Sequence, residues 1–490
     1  MLLELFDGAL ADRGDALALD DLTHRQLHDG ALRVARKFEE RGVRPGDRVA
    51  IYSENRQGFV FAFLAALRLG AIAVPINVLY RSSDLSHVLT DAQPSFVVCS
   101  SASAPFVREI TDEAWIVSAA EVETWARDAS LPALESRRRP QPCDPALIVY
   151  TSGTTGASKG AVLSHENLAA IVSALIAAWR WQSGDVLLVT LPLFHVHGLI
   201  AATTASLAAG GRILLRERFN PAEVLDTIAA GGVTMFFGVP TMYVRLLEHA
   251  GERVLPPIRL YVSGSAALSA DIHRAFEERF GAKILERYGA TEFGFALGNR
   301  YGGPRVAGSV GIPFPGVRVR VAAADGVEAL PAGDIGELLV AGAGVFAGYW
   351  ELPLETRAAF AVDSDGTRWY RSGDLAQYDA GDDAYRIVGR IKELIITAGF
   401  NVYPREVEDA LERLEGVRAC AVVGKSDAAR GELPVAFIEV EGFVDTEALL
   451  ILLSSQLASF KIPKEIRILE ALPRNAMGKL DKPALRKLLS

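Results

Sequence analysis

Hydrophobic and polar positions along residues 20–100 exchange two periods. Apolar residues recur at helical spacing over Thr23 to Arg41, Gly58 to Leu69 and Asp84 to Asp91. Between them stand short, nearly continuous apolar runs, Val49 to Ser53, Ile72 to Ile76 and Ser95 to Cys99, which read as buried strands. Helices alternating with buried strands predict a parallel sheet covered by helices. Residues 100–140 carry no clear period, and Arg137-Arg138-Arg139-Pro140 reads as a solvated connector. The rhythm returns with strands over Ala146 to Val149, Val186 to Thr190, Arg212 to Leu215, from Met235 and from Leu260, and with helices from about Asn167 and over Leu199 to Ala209.

Further along, residues 310–388 are rich in glycine and β-branched residues, with turns at Pro331-Ala332-Gly333-Asp334 and at Asp379 to Asp383, and predict a β-rich subdomain. A small α+β unit follows. Its helices are Val407 to Leu414 and Thr446 to Ala458, and its strands are Ala419 to Val423, Pro434 to Glu439 and Glu465 to Leu469. The pattern changes at Arg390 to Lys392. The expected fold is therefore α/β: a large domain over 1–389, made of two α/β subdomains and the β-rich one, and a small α+β domain over 390–490.

Length and charge narrow the functional classes. A chain of 490 residues carrying a formal net charge of −9 lacks the basic surface that broad nucleic-acid binding requires. Its three cysteines, Cys99, Cys143 and Cys420, lie far apart and give neither metal spacing nor a disulfide framework, so a reducing cytoplasm is the expectation. The N-terminus, broken by Glu4 and Asp7, does not read as a signal peptide. The most apolar stretch, Gly58 to Val78, is interrupted by Arg68, Gly70, Pro75 and Asn77 and reads as a buried helix and strand, with no membrane span.

The chemistry-bearing segments come in a definite order. After the strand ending at Val149 stands Thr151-Ser152-Gly153-Thr154-Thr155-Gly156-Ala157-Ser158-Lys159-Gly160. Glycines allow a tight backbone, hydroxyls and N–H groups offer donors to phosphate oxygens, and Lys159 adds a cation. The spacing differs from the Gly-x4-Gly-Lys-Ser/Thr loop. His195 and His197, two histidines without a third ligand, are weak evidence for metal. Arg245 follows Pro240 by more than one helical turn among apolar residues, and a buried arginine needs an anion, internal or from a substrate. In Glu286-Arg287-Tyr288-Gly289-Ala290-Thr291-Glu292, Tyr288 can stack on a base, Thr291 can bond phosphate and Glu292 is a hard oxygen ligand suited to Mg²⁺. Asp374, in Tyr370-Arg371-Ser372-Gly373-Asp374, is suited to a ribose diol. Lys479 sits in the Pro/Gly-marked loop Pro473 to Leu480.

Together these segments resemble the adenylate-forming superfamily, which includes acyl-CoA synthetases, luciferases and peptide-synthetase adenylation domains. The resemblance spans essentially the whole chain. It implies a two-step reaction: a carboxylate and ATP give acyl-AMP and pyrophosphate, and the acyl group then passes to the thiol of CoA. It assigns ATP phosphates to Thr151, Ser152, Gly153, Thr154, Thr155, Gly156 and Lys159, and Mg²⁺ to Thr154 and Glu292. The rest of the nucleotide falls to Ser265, Ala266, Glu286, Arg287, Tyr288, Gly289, Asp374 and Arg390. Lys479, with Thr291 and Glu292, would be catalytic, Lys392 the hinge of a mobile lid, and Gly399, Phe400 and Asn401 the lining of the CoA path. ATP, Mg²⁺ and coenzyme A are the implied cofactors, and a monomer or homodimer the implied assembly.

Within the superfamily the segments 193–199, 238–245, 286–289 and 305–311 are similar to malonyl-CoA synthetases. That likeness implies malonate or a substituted malonate, with Arg245 on the second carboxylate and His197 and Ser265 as polar neighbours. Residues 290–297 depart from it by being apolar. Ala290 and Gly294 are expected to enlarge the acid pocket and Phe293 and Phe295 to line it. The alternatives on the same residues are a ligase for medium-chain or aromatic monocarboxylic acids, an adenylation enzyme loading a carrier protein, and a non-catalytic acyl-nucleotide binding protein.

Overall fold

The computed structural model describes residues 1–111, 116–135, 139–151, 158–427, 430–474 and 479–489. The chain forms two compact units, Met1–Val319 with Val340–Tyr370, and Arg320–Leu339 with Arg371–Ser490. The 389/390 division drawn from the sequence falls inside the second of these.

The first unit is built on two sheets. One has seven strands in the order Gly348–Tyr349, Lys159–Ser164, Pro145–Thr151, Ile72–Pro75, Arg48–Tyr52, Phe96–Cys99 and Ile116–Ser118. Its middle is parallel, with Val49 opposite Ala73 and Phe96. Its strands read as continuous apolar runs because helices cover both faces. The second sheet has nine strands, with Leu260–Ser263 between Met235–Gly238 and Ile284–Ala290, all parallel. At Ala290 the chain turns back into the antiparallel strand Gly294–Gly298.

Local sequence sets the element ends. Thr23 caps the helix His24–Glu40 in a reciprocal box with Gln26, and Ser164 does the same with Asn167 for His165–Ala178. Pro240 occupies the first turn of Pro240–Glu248, where its missing N–H costs nothing. Each sheet carries its own core. One packs Tyr52, Val74, Leu85, Val97 and Ile148, and the other Phe236, Tyr243, Tyr261 and Phe276.

Three features were not in the sequence reading. An N-terminal helix, Leu2–Arg13, buries Leu2, Leu3, Phe6 and Ala9. The stretch after residue 111 contains the strand Ile116–Ser118 and the helix Ala119–Arg127. The helix expected over Leu199 to Ala209 begins instead as a π-helix, His197–Thr204, and becomes α-helical only over Ala205–Ala208.

In the second unit, Val417–Asp427 and Gly431–Val440 form an antiparallel pair. Glu465–Ile468 adds in parallel to the latter strand, and Ile395–Thr397 with Phe400–Val402 completes that sheet. Ile395, Val407, Leu411, Val422, Ile438 and Leu453 form its core with the helices Pro404–Glu412 and Thr446–Ser454. The long strand Arg368–Asp379 pairs at its far end with Ala384–Arg390. Among the described residues no helix is long and apolar enough to cross a membrane.

Candidate active site

The segment Thr151 to Gly160 joins two antiparallel strands, Thr151 lying opposite Lys159. Ser152, Gly153, Thr154, Thr155 and Gly156, assigned above to phosphate and, for Thr154, to metal, lie outside the described residues, as do Arg137 and Arg138 of the arginine-rich connector. Both flanks of the loop are pinned. Tyr150 donates its hydroxyl hydrogen to Asp91 Oδ2 (2.6 Å), and His87 Nε2 lies 2.7 Å from the Ser158 carbonyl oxygen.

Thr151, Lys159 and Glu292 come together in the first unit. Glu292 sits in the turn between the strands Ile284–Ala290 and Gly294–Gly298 and is 9% exposed. Its Oε1 lies 3.4 Å from Thr151 Oγ1 and 3.2 Å from the hydroxyl of Tyr349. The Tyr349 ring faces the Lys159 ammonium, 5.3 Å from its centroid, and the Tyr370 hydroxyl lies 3.4 Å from that of Tyr349. Burial pushes the Tyr349 phenol up to about 12, with the Glu292 charge adding to it, so it remains a donor at neutral pH. Tyr349, in Gly348-Tyr349-Trp350, and Tyr370, in the strand Arg368–Asp379, were not singled out from sequence because an isolated tyrosine carries no spacing signal. A buried carboxylate beside a hydroxyl and a lysine is a hard-oxygen site, and it fits Mg²⁺ carried chiefly by substrate phosphates.

A second cluster forms where Leu260–Ser263 and Ile284–Ala290 end side by side. Ser265 adopts a left-handed backbone (φ 70°), unusual for a residue with a Cβ and costing about 1 kcal/mol. Its Oγ lies 3.3 Å from His197 Nδ1 and 3.4 Å from Arg287 Nη2. Gly198 lets the π-helix start tight against the preceding turn, since a Cβ there would lie 2.2 Å from the Pro192 carbonyl oxygen. His197 and Arg287 are 3% and 4% exposed. Among the described residues neither His197 Nε2 nor Arg287 Nε has a hydrogen-bond partner. No described carboxylate pairs with the Arg287 guanidinium, which rests on the Phe295 ring at 4.6 Å. Burial lowers the Arg287 guanidinium to about 9, leaving it charged at neutral pH; burial first, and the Arg287 charge after it, hold His197 well below the usual imidazole range, hence neutral. The site is thus a buried, unneutralised cation with a neutral imidazole and a hydroxyl beside it.

Arg245 is corrected by this geometry. Pro240–Glu248 buries Pro240, Tyr243 and Leu246, and Arg245, about 200° round the helix from Tyr243, is exposed with its guanidinium over Phe219. The cation that meets His197 and Ser265 is Arg287. The apolar segment behaves differently from expectation as well. Phe295 does face His197 and Arg287, but Phe293 packs between Tyr288 and Tyr370. Gly294 opens no space, because a Cβ there would lie 2.5 Å from Ile171 Cδ1.

The other nucleotide candidates of this unit flank these clusters. Glu286 is buried and accepts the Leu268 N–H (3.0 Å), Tyr288, Gly289 and Thr291 are half-buried, and Ala266 is exposed. In the second unit Asp374 is buried opposite Arg390, whose Nε lies 2.7 Å from its Oδ1. Lys392 is exposed in the 3₁₀ turn Ile391–Glu393. Ala398 and Gly399, both at positive φ, form the primed turn of a hairpin that exposes Phe400 and Asn401, the Phe400 ring stacking on Phe460 at 4.7 Å. Lys479 is half-buried beside the bridge between Arg474 and Leu480.

A buried carboxylate beside a hydroxyl and a lysine, and a buried cation beside a neutral imidazole, thus stand at and beyond the ends of neighbouring parallel strands, the end of an open α/β sheet at which such folds bind their ligands. Comparison with known proteins agrees. Residues 6–350 match the AMP-binding enzyme family and 406–479 its C-terminal domain. Sulfoacetate–CoA ligase of Cupriavidus necator is 36% identical, covering 94% of this chain and 91% of its own length. Feruloyl-CoA synthase of an Amycolatopsis species is 34% identical (95% and 94%), and human mitochondrial malonate–CoA ligase 33% (98% and 91%). The crystal structure of ATP-bound MatB from Rhodopseudomonas palustris superposes with a TM-score of 0.90 at 37% identity, covering 100% of this chain and 99% of that one. The chain belongs to the AMP-binding enzyme family, as an acid–CoA ligase of the adenylate-forming kind.

Proposed function

We propose that this ligase activates a short carboxylic acid bearing a second anionic group, with malonate or a substituted malonate as the leading substrate. The observation that carries the reading is Arg287: a buried guanidinium with no described carboxylate partner, beside neutral His197 and Ser265. A buried charge left unpaired costs roughly several kcal/mol, and a second carboxylate or a sulfonate removes that cost. An acid with an apolar or neutral tail leaves it in place. The malonate and sulfoacetate ligases among the relatives support the same reading, and the feruloyl relative is the contrasting case.

Attack of the acid on the α-phosphate of ATP spreads negative charge over phosphate oxygens, so positioning and electrostatics dominate. We assign Thr151 to Lys159 to the β- and γ-phosphates, Tyr288 to the adenine, Asp374 with Arg390 to the ribose, and Lys479 to the acid and α-phosphate. Mg²⁺ would be held by Glu292, with Thr154, and would neutralise phosphate charge when bound. Thr291 is assigned a phosphate oxygen. Lys392 is assigned as the hinge between 1–389 and 390–490, and Gly399, Phe400 and Asn401 to the path of CoA. No general base is needed for the second step, because a thiol is already partly ionised near neutral pH.

The test is pyrophosphate release with ATP, Mg²⁺ and CoA across acetate, butyrate, ferulate, malonate, methylmalonate, sulfoacetate and succinate, for wild type and Arg287→Met. The expected result is preference for a dianionic acid and a loss of about a hundredfold or more in kcat/KM for it in the variant. Faster turnover of monocarboxylates, untouched by the substitution, would overturn the dianion reading and leave an acid–CoA ligase of another specificity.

A further inference from the structure

The second unit contains a buried cation that none of the assigned roles uses. Lys482 opens the helix Lys482–Lys487 and its side chain is 12% exposed. Its Nζ lies 2.9 Å from Glu393 Oε2 and 2.8 Å from Glu408 Oε1. Glu408, on the helix Pro404–Glu412, also accepts the Val422 N–H at 2.8 Å and so is fixed to the long edge strand Val417–Asp427. Glu393 closes the 3₁₀ turn that contains Lys392. A single lysine thus ties the turn of the assigned hinge, a core helix and, through that helix, the sheet.

The same residue stands three positions after Lys479, and both ends of the Lys479 loop are tied down. Asp481 N–H donates to the Pro473 carbonyl oxygen (2.8 Å), and Arg474 bridges to Leu480. Leu472 N–H donates to Glu439 Oε1 (2.7 Å), and Asp481 caps the helix by accepting the Ala484 N–H. The described ends of the loop are therefore held by Glu439 on one side and by the Lys482 ion pairs on the other.

We propose that Lys482 is a positioning residue: with Glu393 and Glu408 it welds the Lys392 turn to the Lys479 loop, so that the two move as one body and Lys479 keeps its aim through the reaction cycle. The proposal rests on the assignment of Lys479 to the adenylation step. Two features distinguish it from mere stabilisation of the fold. The two carboxylates come from segments far apart in sequence, 393 and 408 against 482, and one of them belongs to the hinge turn rather than to the core. A core ion pair would need only Glu408.

The experiment compares Glu393→Gln, which leaves the Lys482–Glu408 pair intact, with Lys482→Met and Lys479→Ala in the full-length protein. Acyl-AMP formation, thioester formation from supplied acyl-AMP, and the thermal midpoint are measured for each. Glu393→Gln is expected to keep its thermal midpoint and its KM for ATP. Its kcat for acyl-AMP formation should fall about tenfold or more, while thioester formation stays within about threefold of wild type. Lys482→Met is expected to show the same split with added thermal instability. Normal adenylation in folded Glu393→Gln, or equal loss of both half-reactions, overturns the weld. If Lys479→Ala itself spares adenylation, the assignment of Lys479 fails and the weld with it. If Lys479→Ala loses adenylation while both weld variants retain it, the weld alone fails.

Discussion

Tyr349 and Glu292 share one hydrogen, the phenol lying 3.2 Å from the carboxylate oxygen that also faces Thr151. The same ring carries the Lys159 ammonium on its face. One side chain thus touches both the carboxylate assigned to Mg²⁺ and the lysine assigned to phosphate.

Tyr349→Phe keeps the ring and removes the hydroxyl. A hydrogen bond to a charged group contributes about 1.5–3 kcal/mol. The Mg²⁺ concentration for half-maximal pyrophosphate release is therefore expected to shift by about tenfold or more, with little change in the thermal midpoint. A Mg²⁺ titration at fixed ATP reads it, and an unchanged half-point would show that the hydroxyl does not set Glu292.

Lys392→Pro tests the hinge. Proline fixes φ and disfavours the α region for Ile391, restricting the 3₁₀ turn Ile391–Glu393. Thioester formation is expected to fall by about tenfold more than acyl-AMP formation, because a hinge acts through dihedral change. Equal rates in both half-reactions would mean that the turn does not move.

Stability should fall as pH drops below neutrality. His165 is fully buried, with neither ring nitrogen partnered among the described residues, and desolvation takes it down to about 4. Between about pH 6.5 and 4 the unfolded chain binds a proton at this site that the folded chain refuses, so stability present above pH 6.5 is lost on acidification. The slope is about 1.4 kcal/mol per pH unit for one histidine. His24, His28, His197 and His273 are lowered by burial in the same direction. Urea midpoints for wild type and His165→Gln between pH 7 and 5 should converge as pH falls, the variant being less sensitive to acid.

Gly294→Ala should destabilise the protein by about 1–3 kcal/mol. The residue has φ 62°, and its added Cβ would collide with Ile171 Cδ1. Thermal melts of Gly294→Ala, Ile171→Ala and the double variant separate the two causes: the coupling between the substitutions reports the collision and the remainder the backbone strain.

Much of the fold was legible because the buried strands carry it. Val49, Val74, Val97 and Ile148 lie in strands covered on both faces, so each reads as an apolar run whatever its neighbours. Leu2–Arg13 was not legible, since its few buried residues are scattered among acids and small residues. The cluster proposed to bind the acid was half legible. His197 and Ser265 stood out, but Arg245 looked the better cation because its segment is apolar. Arg287 sits in a strand where Ile284 to Arg287 are all buried, so neither face is polar and alternation gives no cue. Only the ends of two neighbouring parallel strands, brought level by register, reveal which side chain meets the histidine.

The π-helix His197–Thr204 bears on how such a pocket can change over time. A wide turn of this kind amounts to an α turn with one residue added. Loss of a single residue between Leu199 and Thr203 would close it into α-helix and swing His197 by about 100° about the axis. The imidazole would then leave Ser265 Oγ, so the length of this one turn sets which side chain the histidine meets.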